Sequence, residues 1–419
     1  MTIQRRTLLT SAPLWLAAGC ATPLEGALAT ADGWAALDGD TRGGADARPE
    51  HRVDIRDRAA LDAALALGDT PKQLRIHGRL DLSGGRGEAA FRDPAFDLDA
   101  YCTAFDPATW GRRAPAGPLE EARKRSSARQ AAAVTVRLPP RTTLIGATPG
   151  AGFINGMVLL DSTADVVIQR LHFHGVRDHF PEWDPLDGPQ GAWNSEYDTV
   201  SLRRSHHVWV HRCSFDSGAN GEARAKPRRL GQPFQQADGL LDITRLSDLV
   251  TVSWCRFANQ DKTMLIGSSD SQTEDDGRLR VSLHHNLWER CVERTPRVRF
   301  GRVHVANNLF VAPDAALFGY SIGIGQSAQV ISEANVWETD PRIAAAKLVR
   351  GLKGTQFSDS GSRHNGVAVQ TAALFAAATP PAFTPPPING LLPAHAVATA
   401  VRAGAGAGAE PAGAATRPR

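Results

Sequence analysis

Residues 280–337, RVSLHHNLWERCVERTPRVRFGRVHVANNLFVAPDAALFGYSIGIGQSAQVISEANVW, decide the fold. Three recurrences inside this stretch end alike: His285-Asn286-Leu287-Trp288, Asn307-Asn308-Leu309-Phe310 and Ala334-Asn335-Val336-Trp337. Each sets an asparagine two positions before an aromatic residue. At a turn, an asparagine side chain bonds the backbone and tolerates left-handed angles, while the aromatic fills an interior. Stacked coils of a right-handed parallel β-helix meet both demands. A β-sandwich would show more even strand spacing and hairpin turns.

Outward from this stretch, the same alternation of short strand and turn runs from about residue 53 to 335. Strand candidates lie at 74–76, 134–138, 166–168, 199–202, 208–210, 241–243, 250–254, 280–283, 303–305 and 329–331. They recur every 20 to 40 residues, roughly, as expected when loops of unequal length hang from one solenoid. Long helices are scarce. Residues 57–68, DRAALDAALALG, carry Leu61 and Leu65 on one face and are predicted as a short helix capping the N-terminal end. The resulting division is a 1–29 export signal, a 30–49 linker, a 50–372 β-helix, a 373–405 extension with a helix over 394–402, and a disordered Ala-Gly tail at 406–419.

The N-terminus has Arg5 and Arg6 before an apolar run too short to span a bilayer. Ala17-Ala18-Gly19-Cys20 resembles a lipoprotein cleavage site, with Cys20 to be acylated, and Ala27-Leu28-Ala29 offers an ordinary one. Export is expected either way, to the medium, the periplasm or the outer membrane. No later stretch is apolar enough to cross a membrane. The 47 Lys and Arg against 44 Asp and Glu leave a net charge of +3, which argues against a nucleic-acid partner bound through a basic surface. The five cysteines form no CxxC pair and no zinc-like spacing; Cys102, Cys213, Cys255 and Cys291 are open to pairing or to burial as small hydrophobes.

Chemistry concentrates between residues 180 and 308. Asp198, Asp238 and Asp242 lie on neighbouring strand segments, and Asp238 and Asp242, four apart on extended chain, face the same side. Carboxylates brought together repel unless a hard cation joins them, and an all-oxygen set favours calcium. A basic set, Lys262, Arg294 and Arg299, includes the motif Arg294-Thr295-Pro296-Arg297-Val298-Arg299. Such cations suit an acidic polymer rather than a neutral glycan.

Four blocks, WNSEYD (193–198), DGLLDITRLSDLVTVSW (238–254), DKTMLIGSSDS (261–271) and RTPRVRFGRVHVANN (294–308), together resemble the pectate lyases of polysaccharide lyase family 1. The likeness covers roughly residues 50 to 405. It implies a pectin-lyase-like β-helix that cleaves polygalacturonate, the de-esterified part of pectin, by β-elimination as a monomer. It also implies that Asp198, Asp238 and Asp242 hold the calcium ion. By the same resemblance Arg294 is the base, and Lys262 and Arg299 bind the substrate carboxylate or the intermediate. Arginine is normally a permanent cation, so calcium and neighbouring positive charges must disfavour its protonated form, and an alkaline optimum is expected. No general acid is evident, which leaves water to protonate the leaving oxygen.

The chain departs from the family in two places. Trp209-Val210-His211-Arg212 stands where the family reads Trp-Ile-Asp-His; this motif is expected to border the cleft and to alter a secondary cation site. Gln260 replaces a frequent histidine. The doublet His284-His285 is read as structural, because adjacent strand residues face opposite sides. A metal-independent pectin lyase is disfavoured by the three acids. A hydrolase would need paired carboxylates working with water. A non-catalytic pectin-binding β-helix remains the alternative from another class.

Overall fold

The computed structural model describes residues 30–217, 226–375 and 377–408; the export signal, the Cys20 site and positions 409–419 of the expected tail lie outside them. Strands stack into three long sheets of ten, ten and eight members. Each coil gives one strand to each sheet in turn. One such coil runs Leu241–Thr244, Asp248–Ser253, Arg256–Lys262. Pairing between coils is parallel and in register, and the pair Arg363–His364 and Val367–Ala368 closes the last coil antiparallel. This is the expected parallel β-helix.

In-register stacking puts like side chains above like. The inward column of the eight-stranded sheet reads Leu160, Leu202, Ile243, Ile266, Val298, Ile324, all buried. Along the second ten-stranded sheet, Phe173, Phe215, Phe257 and Trp288 stack with ring centroids 5.0, 4.8 and 4.4 Å apart, and the stack continues through Phe310 to Trp337. Such pairs each add roughly 0.5–1.5 kcal/mol beyond burial. Asparagines at the adjoining turn form a second ladder. Asn286 Nδ2 donates to Asn308 Oδ1 at 3.0 Å, and Asn308 Nδ2 to Asn335 Oδ1 at 3.1 Å. Cys255 occupies the preceding rung, its N–H donating to Asn286 Oδ1, and Cys213 the rung before that. All four described cysteines are free, so these two act as buried rungs and not as a disulfide.

Both flanks pack closely. The helix Arg58–Leu65 is capped by Asp57, which accepts from Ala60 N–H, and buries Leu61 and Ala64 at the N-terminal end of the core. Residues 30–49, expected as a linker, instead strap the outer face of the first sheet. Trp34 and Ala35 N–H donate to Ser282 Oγ and Thr251 Oγ1, and Gly44 N–H donates to Thr143 Oγ1. Only glycine fits at 44, where an added Cβ would lie 1.9 Å from Lys72 O. At the C-terminus, Ala394–Gly404 is helical and buries Val397 and Val401 against Leu309 and Val336. The expected disordered tail begins later than 406, since Gly406 and Ala407 N–H donate to Trp254 O and Ser214 Oγ.

The 17-residue helix Pro118–Val134 is the longest among the described residues, where long helices are scarce as expected. It has no continuous apolar stripe; a buried pair of Glu120 with Arg123 (2.8 Å) and the Tyr101 hydroxyl on Glu120 (2.8 Å) hold it instead. Arg123 Nη1 also donates to Phe180 O. The helix thereby braces a second apolar cluster, Tyr101, Phe180, Trp183, Trp193, Tyr197 and Phe234, beside the acidic residues.

Two predictions concern stability. Asn308→Ala removes one acceptor and one donor from the ladder and leaves buried N–H groups unpaired, a cost of about 1–3 kcal/mol; thermal unfolding should show a lowered Tm, and an unchanged Tm contradicts the ladder's role. Lys72 is fully buried, its Nζ donating to Gly68 O (2.7 Å), Pro140 O (3.2 Å) and Thr142 Oγ1 (3.1 Å). Burial, aided by Arg141, lowers its pKa to about 8 from the ordinary 10.5. A base depressed in the folded state holds fewer protons there than when unfolded, so its contribution to stability improves as pH rises through that window. The Tm of wild type relative to Lys72→Met should therefore rise between pH 8 and 10.5; a pH-independent difference contradicts this.

Candidate active site

The eight-stranded sheet carries the acidic residues on its outward face. Asp242 belongs to Leu241–Thr244, whose Leu241 and Ile243 point into the core, so alternation turns Asp242 outward. Asp198 and Asp238 immediately precede neighbouring strands, and Asp238 N–H donates to Tyr197 O at 3.0 Å. One carboxylate oxygen from each of Asp198, Asp238 and Asp242 lies within 4.8 Å of the others. Gly239 lets the backbone pass: an added Cβ would meet Asp242 Oδ1 at 2.4 Å and Asp198 Oδ1 at 2.9 Å.

Electrostatics at this cluster are unfavourable to the bare protein. Burial, then the Asp238 charge, raises the Asp198 carboxyl above the usual range; burial, then Asp198 and Asp238, raises Asp242. Backbone N–H groups offset part of the cost, Gly239 donating to Asp198 and Leu265 to Asp242, each at 2.9 Å. A hard divalent cation fits these donors: all are oxygens, they converge, and their mutual repulsion is what such an ion removes.

The basic residues come from the coils that follow. Lys262 ends the strand Arg256–Lys262, with Nζ 3.9 Å from Asp238 Oδ1. Arg294 follows one coil later, its carbonyl accepting from Met264 N–H and its Nε 3.1 Å from Glu293 Oε1. Arg299 is fixed by Asp270 (2.7 Å) and by donation to Gly267 O (3.0 Å), while Lys353 reaches the other oxygen of Asp270 at 2.6 Å. Asp198, Asp238, Lys262 and Arg294 thus precede strands of the eight-stranded sheet, Asp242 lies on one, and Arg299 follows one.

Arg294 departs from expectation in its surroundings. Burial opposes its charge, but Glu293, Asp238, Tyr320 and Asp242 outweigh burial and hold its pKa above the ordinary value. The bare site therefore keeps the guanidinium protonated, where the sequence suggested cationic neighbours pressing the other way.

The departures resolve locally. His211 does not border these residues: it lies on His206–His211 of the first sheet, its ring 4.6 Å from Trp209 and its Nδ1 2.9 Å from Ser253 Oγ, and burial lowers its pKa to about 3. Gln260, in contrast, serves the site, donating from Nε2 to the backbone oxygens of both Asp238 and Lys262. His284 and His285 do not face opposite sides. The chain turns at His285 (φ 54°), and the two Nδ1 atoms lie 2.9 Å apart. His284 Nε2 pairs with Asp32 of the strap and His285 stacks on Trp254 at 4.4 Å, so both are structural.

One supporting residue has no local sequence signal. Asp178 is fully buried, and its two oxygens accept from Phe180 N–H and Glu196 N–H, each at 2.9 Å. Its backbone is doubly bonded to Gln236: Asp178 N–H donates to Gln236 O (2.8 Å) and Gln236 Nε2 to Asp178 O (3.0 Å). It therefore ties the segment bearing Asp198 to the segment bearing Asp238. Burial raises its pKa to about 6.

Comparison with known proteins follows this geometry. The sequence model described as pectate lyase matches residues 118–409. The chain is 36% identical over 369 residues to a pectate lyase of Bacillus subtilis (strain 168), covering 85% of this chain and 87% of the relative. It is 34% identical over 349 residues to pectate lyase E of Dickeya chrysanthemi, covering 81% and 76%. Among solved structures, a pectate lyase bound to hexasaccharide superposes with a TM-score of 0.86 at 35% identity, covering 90% of this chain and 96% of that one. The pectate lyase of Acidovorax avenae subsp citrulli gives 0.80 at 27% identity, with 90% and 94% covered.

Asp178→Asn turns an amide N–H toward one of the two donors and should loosen the register of the acidic segments. Calorimetry of divalent-cation binding should show affinity falling about tenfold, as for other residues that orient metal ligands; an unchanged affinity contradicts the role.

Proposed function

Because the chain belongs to the pectate lyase family, we propose that it cleaves α-1,4-linked polygalacturonate by calcium-dependent β-elimination, releasing 4,5-unsaturated oligogalacturonates. It is a polysaccharide lyase acting on polygalacturonate. The observation that carries the calcium dependence is the convergence of Asp198, Asp238 and Asp242, whose carboxylates repel one another in the bare protein.

Elimination needs the proton on the carbon beside a uronate carboxylate to be acidified and removed, and the glycosidic oxygen on the next carbon to leave. When bound by the three aspartates, calcium supplies positive charge that offsets Asp238 and Asp242 and acidifies that proton through the substrate carboxylate. Arg294 removes the proton. Its Nε is anchored on Glu293, which leaves the terminal nitrogens to face the sugar. Because the surrounding acids hold the guanidinium protonated, the reaction requires both their neutralisation and high pH, and activity rises toward the alkaline side. Lys262 and Arg299 hold carboxylate; Asp270 fixes the Arg299 side chain in one orientation. The electron pair of the broken C–H bond forms the new double bond, and solvent protonates the departing oxygen.

The substrate is a plant wall polymer, and export through residues 1–29, to the medium, the periplasm or an outer-membrane anchor at Cys20, is part of the same proposal. No helix among the described residues is long and apolar enough to cross a membrane.

The experiment is the ultraviolet absorbance of unsaturated product formed from polygalacturonate. Wild type should form it, faster at alkaline than at neutral pH, and Arg294→Lys should lower kcat by at least ~100-fold with KM little changed, the signature of a group acting in the transition state. Product from the variant at the wild-type rate would remove Arg294 from the mechanism; reducing ends without unsaturation would indicate a hydrolase.

A further inference from the structure

Arg297 lies between Arg294 and Arg299, yet differs from both in having no counter-ion among the described residues. It sits on the strand Arg297–Val298, where Val298 points into the core and Arg297 points outward. Register fixes its position: Ile243 pairs with Ile266, which sets Asp242 level with Leu265, and Leu265 stacks over Arg297 and Arg297 over Gly323. Two strand spacings, about 10 Å, separate it from Asp242 along the outward face. Gly323 beside it carries no side chain, and the Tyr320 ring and Leu352 fill the place where one would lie.

The neighbouring cations are each paired, Arg294 with Glu293 and Arg299 with Asp270. Arg297 makes no ion pair among the described residues, and its Nε is buried without a hydrogen-bond partner. Burial, then Arg299 and Arg294, lowers its pKa, while Tyr320 and Glu293 offset part of this. Crowding a third guanidinium here, with a buried donor unsatisfied, destabilises the bare protein. Such an arrangement is complementary to an anion, and a planar guanidinium matches a carboxylate with two parallel hydrogen bonds.

We propose that Arg297 is a further substrate-binding residue, holding the carboxylate of a galacturonate unit other than the one at the aspartate cluster. The proposal rests on the lyase reading above. It makes Arg297 a determinant of specificity: a methyl ester at that unit removes the charge and one acceptor oxygen, so de-esterified runs are preferred over isolated free acids.

The test measures kcat and KM separately for wild type, Arg297→Gln and Arg297→Lys on polygalacturonate and on partly methyl-esterified pectin, with Tm for each. Arg297→Gln should raise KM on polygalacturonate about tenfold with kcat within about threefold, the pattern of lost uniform binding. Arg297→Lys should fall between, because a point charge replaces a two-pronged contact. The KM ratio should shrink on esterified pectin. An unchanged KM, a kcat that falls with KM constant, or full rescue by lysine would each overturn the paired contact. If wild type forms no unsaturated product, the lyase reading fails separately; equilibrium binding of an oligogalacturonate to wild type and Arg297→Gln then decides the contact, equal affinities overturning it.

Discussion

In-register parallel stacking is the constraint from which the rest follows. A coil that repeats at one strand spacing places each residue directly above its counterpart, so one favourable contact recurs down the whole molecule. The aromatic stack from Phe153 to Trp337 and the rungs Cys255, Asn286, Asn308 and Asn335 are two such columns. The same rule that stacks apolar groups inside also stacks charges outside. Asp198, Asp238 and Asp242 come from adjacent coils and cannot avoid one another, and the arginines at 294, 297 and 299 follow two or three coils later. The frame is rigid enough to hold charges that would otherwise move apart.

That rigidity sets the chemistry in two opposed halves. The acidic half raises the carboxyl groups of Asp198 and Asp242; the basic half contains a guanidinium, Arg294, that its acidic neighbours keep charged. The acidic half is complementary to a cation, and the basic half to an anionic polymer. Asp178, Glu293 and Gln260 hold the backbone and side chains of both halves in place.

The sequence made the repeating part legible because its signals are short in range. Asparagine two residues before an aromatic marks a rung, and the blocks around Asp198, Asp238, Lys262 and Arg294 mark the site. What escaped depends on partners distant in the chain. The strap at 30–49 looks like a linker by composition, yet its backbone N–H groups find Ser282 and Thr251 more than 200 residues away. The helix Pro118–Val134 shows no apolar stripe because its holding contacts are ionic. Asp178 acts through Glu196 and Gln236, and the missing counter-ion of Arg297 is visible only once those of Arg294 and Arg299 are known. The motif Trp209–Arg212 does not itself show which sheet its strand joins, and His211 lies on the first sheet, away from the aspartates.

The central claim is that the three aspartates bind a calcium ion on which elimination depends. Its most direct measurement is the initial rate of unsaturated product from polygalacturonate after the protein and substrate are stripped with a chelator, followed by titration with calcium or magnesium. The account predicts loss of activity on stripping and recovery with calcium, with magnesium a poor substitute because it demands a tighter octahedral shell. An undiminished rate in metal-free solution would contradict it.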